Sequence, residues 1–338
     1  MMERQCKPLL EKKGGVDMEN TYRGPNKALI IIVVIIGILI LGSETGSGKK
    51  VDDSFQPSGD IHNIVVDNGD ADIKIVEGDS FFVKGEDLPE DDYSFTQEGD
   101  TLKITVDSNE SHFPFIHIGF FESSAKVTIT IPSNTEFDTI KVVNGSGNLT
   151  TNSSLVMTKG DFEIGSGDVE IYSIKADTLY CNVGSGNIEV TELNALDIKG
   201  SVGSGDLALG YVECKTMSMD IGSGDMTCKS IEADDCMVEM GSGDMECDNI
   251  AIVNMDAELG SGNLELKGQL TGSSSLECGS GDIELDLAGN IDEYSFVLDG
   301  DDIRINGETY SEHYKSDVMT DKKLTLKAGS GEIEVSIR

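Results

Sequence analysis

From residue 145 onward, apolar and polar residues alternate at a period of two in short runs. Examples are Asp168-Val169-Glu170-Ile171, Asn187-Ile188-Glu189-Val190 and Asp282-Ile283-Glu284-Leu285. That is the signature of half-buried strands, and no 3.6-residue period competes with it. A second apolar set occupies the later half of each unit, as in Leu179, Cys181 and Val183, or Met217, Met219 and Ile221. Each set ends just before a glycine. The tetrapeptide Gly-Ser-Gly-Asp/Asn begins at Gly145, Gly165, Gly184, Gly203, Gly222, Gly241, Gly260 and Gly279, spaced by 20 and then 19 six times. A degenerate copy stands at Asp299 to Asp302, and Gly329-Ser330-Gly331-Glu332 follows near the end of the chain.

A fixed period of this size predicts stacked supersecondary units. The expected fold is all-β: a parallel β-solenoid, right-handed by preference, with rungs of about 19 residues. Each rung is expected to hold two or three short strands joined by tight turns. Glycines at the first and third turn positions are expected to supply positive φ. Rungs about 4.8 Å apart would stack Val, Ile, Leu and Met into interior ladders. Residues 59–143 read as an irregular, capping beginning of the same solenoid, with strands at Asp70 to Ile75, Ser80 to Val83, Thr101 to Val106 and Lys126 to Ile131. Residues 144–338 form the repeat region, whose insertion after Asp302 caps the far end.

The one long apolar run, Ala28 to Leu41, lies between Lys27 and Glu44. It predicts a transmembrane signal anchor over 28–43, a membrane partner through Ala28–Leu41, and a single-pass protein. Six bases precede the run, so residues 1–27 are expected on the cytoplasmic side and the rest outside the membrane. Secretion after cleavage is the alternative, and a start at Met18 would give a compact export signal. Residues 44–58 read as a flexible linker. Their Ser43-Glu44-Thr45-Gly46-Ser47-Gly48-Lys49-Lys50 departs from a phosphate-binding loop at both ends.

With 25 Lys plus Arg against 62 Asp plus Glu, the formal charge is −37. That excludes nucleic acid as a partner. Asp168, Asp206, Asp225, Asp244 and Asp282 form one turn column with Asn148, Asn187 and Asn263. A calcium column is the minor reading, because one Asp per turn makes no cage. Hydrogen bonds from turn amides are preferred, and neither a metal nor a cofactor is expected. Glu170, Glu189, Glu246, Glu265, Glu284 and Glu334 form a second acidic column, read as solvated charge. A β-helix carbohydrate-active enzyme is the third-ranked function, since Gly145 to Glu284 contains no Arg or His and the chain has no Trp. No catalytic residue is assigned.

Cys181, Cys214, Cys228, Cys236, Cys247 and Cys278 fall on inward positions and read as buried free thiols. Aromatic residues crowd only in the loop around His112 and His117. There Phe113, Phe115, Phe120 and Phe121 are the candidate partner contact.

The turns, together with Val127-Thr128-Ile129-Thr130-Ile131-Pro132, make the region from Val51 to Arg338 resemble the bacterial adhesin-like domain DUF4097. The resemblance implies a surface β-solenoid of the bacterial envelope. The function expected is therefore a membrane-anchored, non-enzymatic, extracytoplasmic interaction or structural protein. An envelope-stress component that senses cationic ligands through its charge is the alternative.

Overall fold

The structure, a computed structural model, describes residues 49–107 and 125–338. These residues form strands and a single 3-10 turn at Ile291–Glu293. The expected parallel β-solenoid is present. Its centre is five consecutive 17-residue strands, Val169–Ser185, Ile188–Ser204, Leu207–Ser223, Met226–Ser242 and Met245–Ser261. Each pairs in parallel with the next at an unbroken offset of one repeat, so Val169 stands beside Ile188, then Leu207, Met226 and Met245. The larger spacing from Gly145 to Gly165 has a local cause. Ile171 pairs with Thr151 but Ser173 pairs with Ser154, so the extra residue is a bulge beside buried Ser153.

The expected two or three strands joined by tight turns are instead one continuous ribbon with bends. Burial alternates inside and outside until a corner, where two consecutive residues both face out. In the second full rung, Ile188, Val190, Leu193, Ala195, Ile198 and Val202 point inward, while Thr191-Glu192, Leu196-Asp197 and Gly203-Ser204 lie at the corners. Ladder pairing skips Thr191, Leu196 and Gly203 for the same reason. Each slip restarts the alternation on the next face, so one narrow core is enclosed on several sides. Every fully buried Ile, Leu or Val in it contributes about 1.5–3 kcal/mol.

The two glycines of the turn have different tasks, which corrects the expectation of positive φ at both. Gly205, a third glycine, has φ of +132°, and a Cβ there would lie 2.1 Å from the Gly186 carbonyl oxygen. Gly203, a first glycine, is required by close approach alone, because its Cβ would lie 2.4 Å from the Gly184 oxygen.

Both ends close by switching from parallel to antiparallel pairing. At the N-terminal end, Lys50–Phe55 pairs with Phe82–Pro89, which pairs with Lys126–Pro132, and Tyr93–Glu98 pairs with Thr101–Val106. At the other end, Asp302–Ile305 turns back on Glu308–Tyr310, and Tyr294–Asp299 pairs with His313–Lys315. Short hairpins of this kind leave little flat edge for another chain to extend. Part of the stretch expected as a linker is therefore ordered strand. Lys50–Phe55 alternates weakly in hydropathy but finds a partner 30 or so residues away, a contact invisible in its own composition.

The expected single-pass placement, with residues 1–27 cytoplasmic, is corrected. No helix among the described residues is long and apolar enough to cross a membrane. The run Ala28–Leu41 on which the expectation rested lies outside the described residues.

Gly205→Ala is expected to cost about 2 kcal/mol or more, because its new methyl meets backbone that cannot yield and sits at unfavourable φ. Gly99→Asn, at φ of +65° with open space around it, should be close to neutral. Denaturant midpoints of the two variants check the contrast, and equal losses would remove the close-approach explanation.

Candidate functional site

The turn column is a hydrogen-bonded line. In each rung the Asp or Asn side chain accepts the backbone N–H of its counterpart in the next. Asn148 Oδ1 accepts from Asp168 at 2.9 Å, Asp168 from Asn187 at 2.8 Å, and Asn187 from Asp206 at 2.9 Å. Asp206, Asp225 and Asp244 continue it to Asp225, Asp244 and Asn263, and Asp282 accepts from Glu332 at 2.7 Å. The bond uses Oδ1, an atom Asp and Asn share, so the alternation of these residues changes charge without changing the link. Asp168, Asp206, Asp225, Asp244 and Asp282 thus stand in one row as amide acceptors. Among the described residues no group of three or more His, Cys, Asp or Glu could hold a metal ion.

Asp225→Asn should therefore leave stability unchanged within about 0.5 kcal/mol, while Asp225→Ala should cost about 1 kcal/mol by leaving the Asp244 N–H without its acceptor. Thermal melts of the two variants, with and without millimolar calcium, check this. A calcium-dependent rise lost in Asp225→Asn would restore the metal reading.

The second acidic column is broken within the sheet by Ala208 and Thr227, which sit in line with Glu189 and Glu246. Farther along, Lys267 bridges Glu265 and Asp248, and the Glu265 carboxylate raises the ammonium's pKa. Phe113, Phe115, Phe120 and Phe121, with His112 and His117, lie outside the described residues.

The six cysteines among the described residues project into the core or its margin: Cys228, Cys236, Cys247 and Cys278 are buried, Cys181 and Cys214 half-buried, and all six are free thiols. Cys228 and Cys247 are ladder partners. The Cys228 thiol beside it, and then burial, push the Cys247 thiol well above its ordinary range. Burial pushes Cys236 up to about 12.

A thiol whose folded pKa is raised keeps its proton in the native state after the unfolded chain has lost it. Its stabilising contribution is thus complete below the ordinary value of 9.0 and is lost as pH rises toward about 12. Iodoacetamide at pH 8 should leave Cys236 unmodified in the native protein and label it after unfolding. Between those two pH values Cys236→Ala should lose stability less steeply than the parent chain. Native labelling at the unfolded rate would contradict its burial.

The feature that the sequence did not announce is a trough of about 570 Å³ on one outer face, between Thr216 and Thr325. Two columns line it. One is Thr216, Asp235, Asn254, Ser273 and Lys323, and the other is Ser218, Met237, Asp256, Ser275 and Thr325. The first column is tied across rungs: Thr216 donates to Asp197 at 2.6 Å, Asn254 to Asp235 at 2.9 Å, and the Ser273 N–H to Asn254 at 3.1 Å. In the second, the side chains of Ser218, Asp256, Ser275 and Thr325 make no hydrogen bond within the described residues. Met237 is 44% exposed at its middle. By contrast, an apolar cavity in the interior, beside Leu193 and Met219, has only about 30 Å³, room for about one water and not for a ligand. The trough's residues each fit the repeat, and only their juxtaposition over five rungs makes a site.

A family model described as Toastrack DUF4097 matches residues 61–191 and 173–338. No curated protein matches the chain. Among solved structures, a putative adhesin from Parabacteroides distasonis is 16% identical with a TM-score of 0.46, over 85% of this chain and 98% of that one. A putative adhesin from Parabacteroides merdae is 12% identical with a TM-score of 0.45, over 86% and 98%. A Putative lipid binding protein from Parabacteroides distasonis is 18% identical with a TM-score of 0.48, over 85% and 98%.

Proposed function

The chain belongs to the Toastrack DUF4097 family, and from that premise we propose that it is a non-enzymatic interaction protein that engages partners on the outer faces of its solenoid. The observation that carries this reading is the trough, an open concavity of about 570 Å³, against about 30 Å³ for the interior cavity beside Leu193 and Met219. Rungs locked to one another by backbone pairing and by the turn column make the outer faces stiff, so little conformational freedom is lost when a ligand docks. Side chains at fixed intervals then act as a preset array.

The neighbouring chemistry supports binding over turnover. From Gly145 to Glu284 there is no Arg or His to stabilise a developing charge or to serve as the usual base. The acidic residues of the outer faces stand in columns rather than as an isolated pair with distinct surroundings. A second reading, attraction of a cationic ligand, draws on the column Asp220, Glu239, Glu258 and Glu277, which stacks four carboxylates in line.

Beads carrying the chain should adhere saturably to surfaces coated with purified polysaccharide or protein, and soluble chain in excess should displace them. The coating should be unchanged in mass afterwards. Release of product with time would overturn the non-enzymatic reading, and absence of adhesion to any coating would overturn the interaction reading. Adhesion that collapses as salt rises would select the cationic-ligand version.

A further inference from the structure

We infer that the trough binds a neutral, linear, β-linked polysaccharide laid along the solenoid axis, an assignment that rests on the outer faces being the interaction surface. The first support is periodicity. Five rungs cross the trough, so its two columns present mostly polar side chains at equivalent positions about every 4.8 Å over roughly 19 Å. One sugar ring in an extended β-linked chain advances by nearly one such step, and because neighbouring rings are turned over relative to each other, alternate rings meet every second rung in the same way.

Hydrogen-bonding capacity is the second support. Ser218, Ser275 and Thr325 carry hydroxyls that both donate and accept, Asp256 accepts, and none has a partner among the described residues. A polyhydroxyl chain satisfies all of them, whereas a polycation offers donors only. The tied first column gives the opposite wall a fixed shape. Met237, 44% exposed, is the most exposed apolar side chain of a lining that also holds Met217, Cys236 and Met255, and it suits the carbon-bound face of a ring.

Charge then narrows the class. The lining holds two carboxylates, Asp235 and Asp256, and one ammonium, Lys323, so its own charge nearly balances and suits an uncharged chain. The flanking column Asp220, Glu239 and Glu258 repels an anionic polysaccharide. An added peptide strand has no place here either, because the three central rungs are already paired on both sides. Beyond the trough the second column continues through Lys199 to Tyr180, over whose ring Lys159 stands at 5.4 Å from the centroid.

Calorimetric titration of the full chain with cello-oligosaccharides of two to six rings tests the assignment. Affinity should rise with length up to about four rings, the span of the trough, and then level. Ser218→Arg and Ser275→Arg, which fill the floor, should each weaken cellotetraose binding about tenfold with an unchanged melting temperature. Ser275→Thr keeps the hydroxyl and should retain binding. Tyr211→Ala, on a different corner and 61% exposed in the parent chain, should not matter. Binding independent of length, binding insensitive to both Arg variants, or binding lost in Tyr211→Ala would each overturn the trough assignment. If no oligosaccharide binds while beads still adhere to protein coatings, the glycan assignment falls and the interaction reading stands.

Discussion

Every rung has to come back to the same lateral position after nineteen residues, because its backbone N–H and C=O groups are satisfied only by the rung beneath and the rung above. An unpaired buried amide costs enough that one residue of slippage would be felt along a whole face. The close approach at the turns follows from this demand. Gly203 and Gly205 let successive turns sit directly over one another, and the Asp/Asn line adds one further inter-rung link per repeat. Where the period lengthens to 20, the extra residue is expelled as a bulge at Ser153, and register resumes immediately.

Stacking at a fixed offset has an inevitable second effect, since whatever a repeat places outward is placed beside its copies. Like carboxylates such as Glu239 and Glu258 end up about 4.8 Å apart, where water reduces their repulsion to the order of 1 kcal/mol. Exposure makes this tolerable. Inside, the same stacking is favourable, and the core accepts Val, Leu or Cys in one column, as in Val190, Leu209, Cys228 and Cys247, because each needs only to be apolar and of moderate size. The Cys236 thiol is raised in pKa by that interior for the same reason that its hydrocarbons are stable there.

Termination is the remaining demand. A solenoid that simply stopped would expose a row of unpaired backbone groups on each face, and here two faces at each end finish instead on antiparallel pairing. The irregular residues before 144 and the insertion after Asp302 are thus as much part of the fold's logic as the repeats between them.

Read by themselves, the residues specify the period, the strand alternation, the inward thiols and the acceptor role of the turn Asp and Asn. Each of these is local or repeats at a constant interval, so a single copy or a comparison of copies reveals it. The corners were less plain: Leu196 is apolar yet 56% exposed, and only the bend that turns both Leu196 and Asp197 outward explains it. The strand Lys50–Phe55 and the trough were not legible at all. Lys50–Phe55 depends on a partner distant in sequence, and the trough depends on lateral summation of Ser218, Met237, Asp256, Ser275 and Thr325, residues 19 to 50 positions apart. A repeat determines what lies above what, but only the folded path of the ribbon around its corners decides which columns stand side by side, and that neighbourhood is what makes a surface concave.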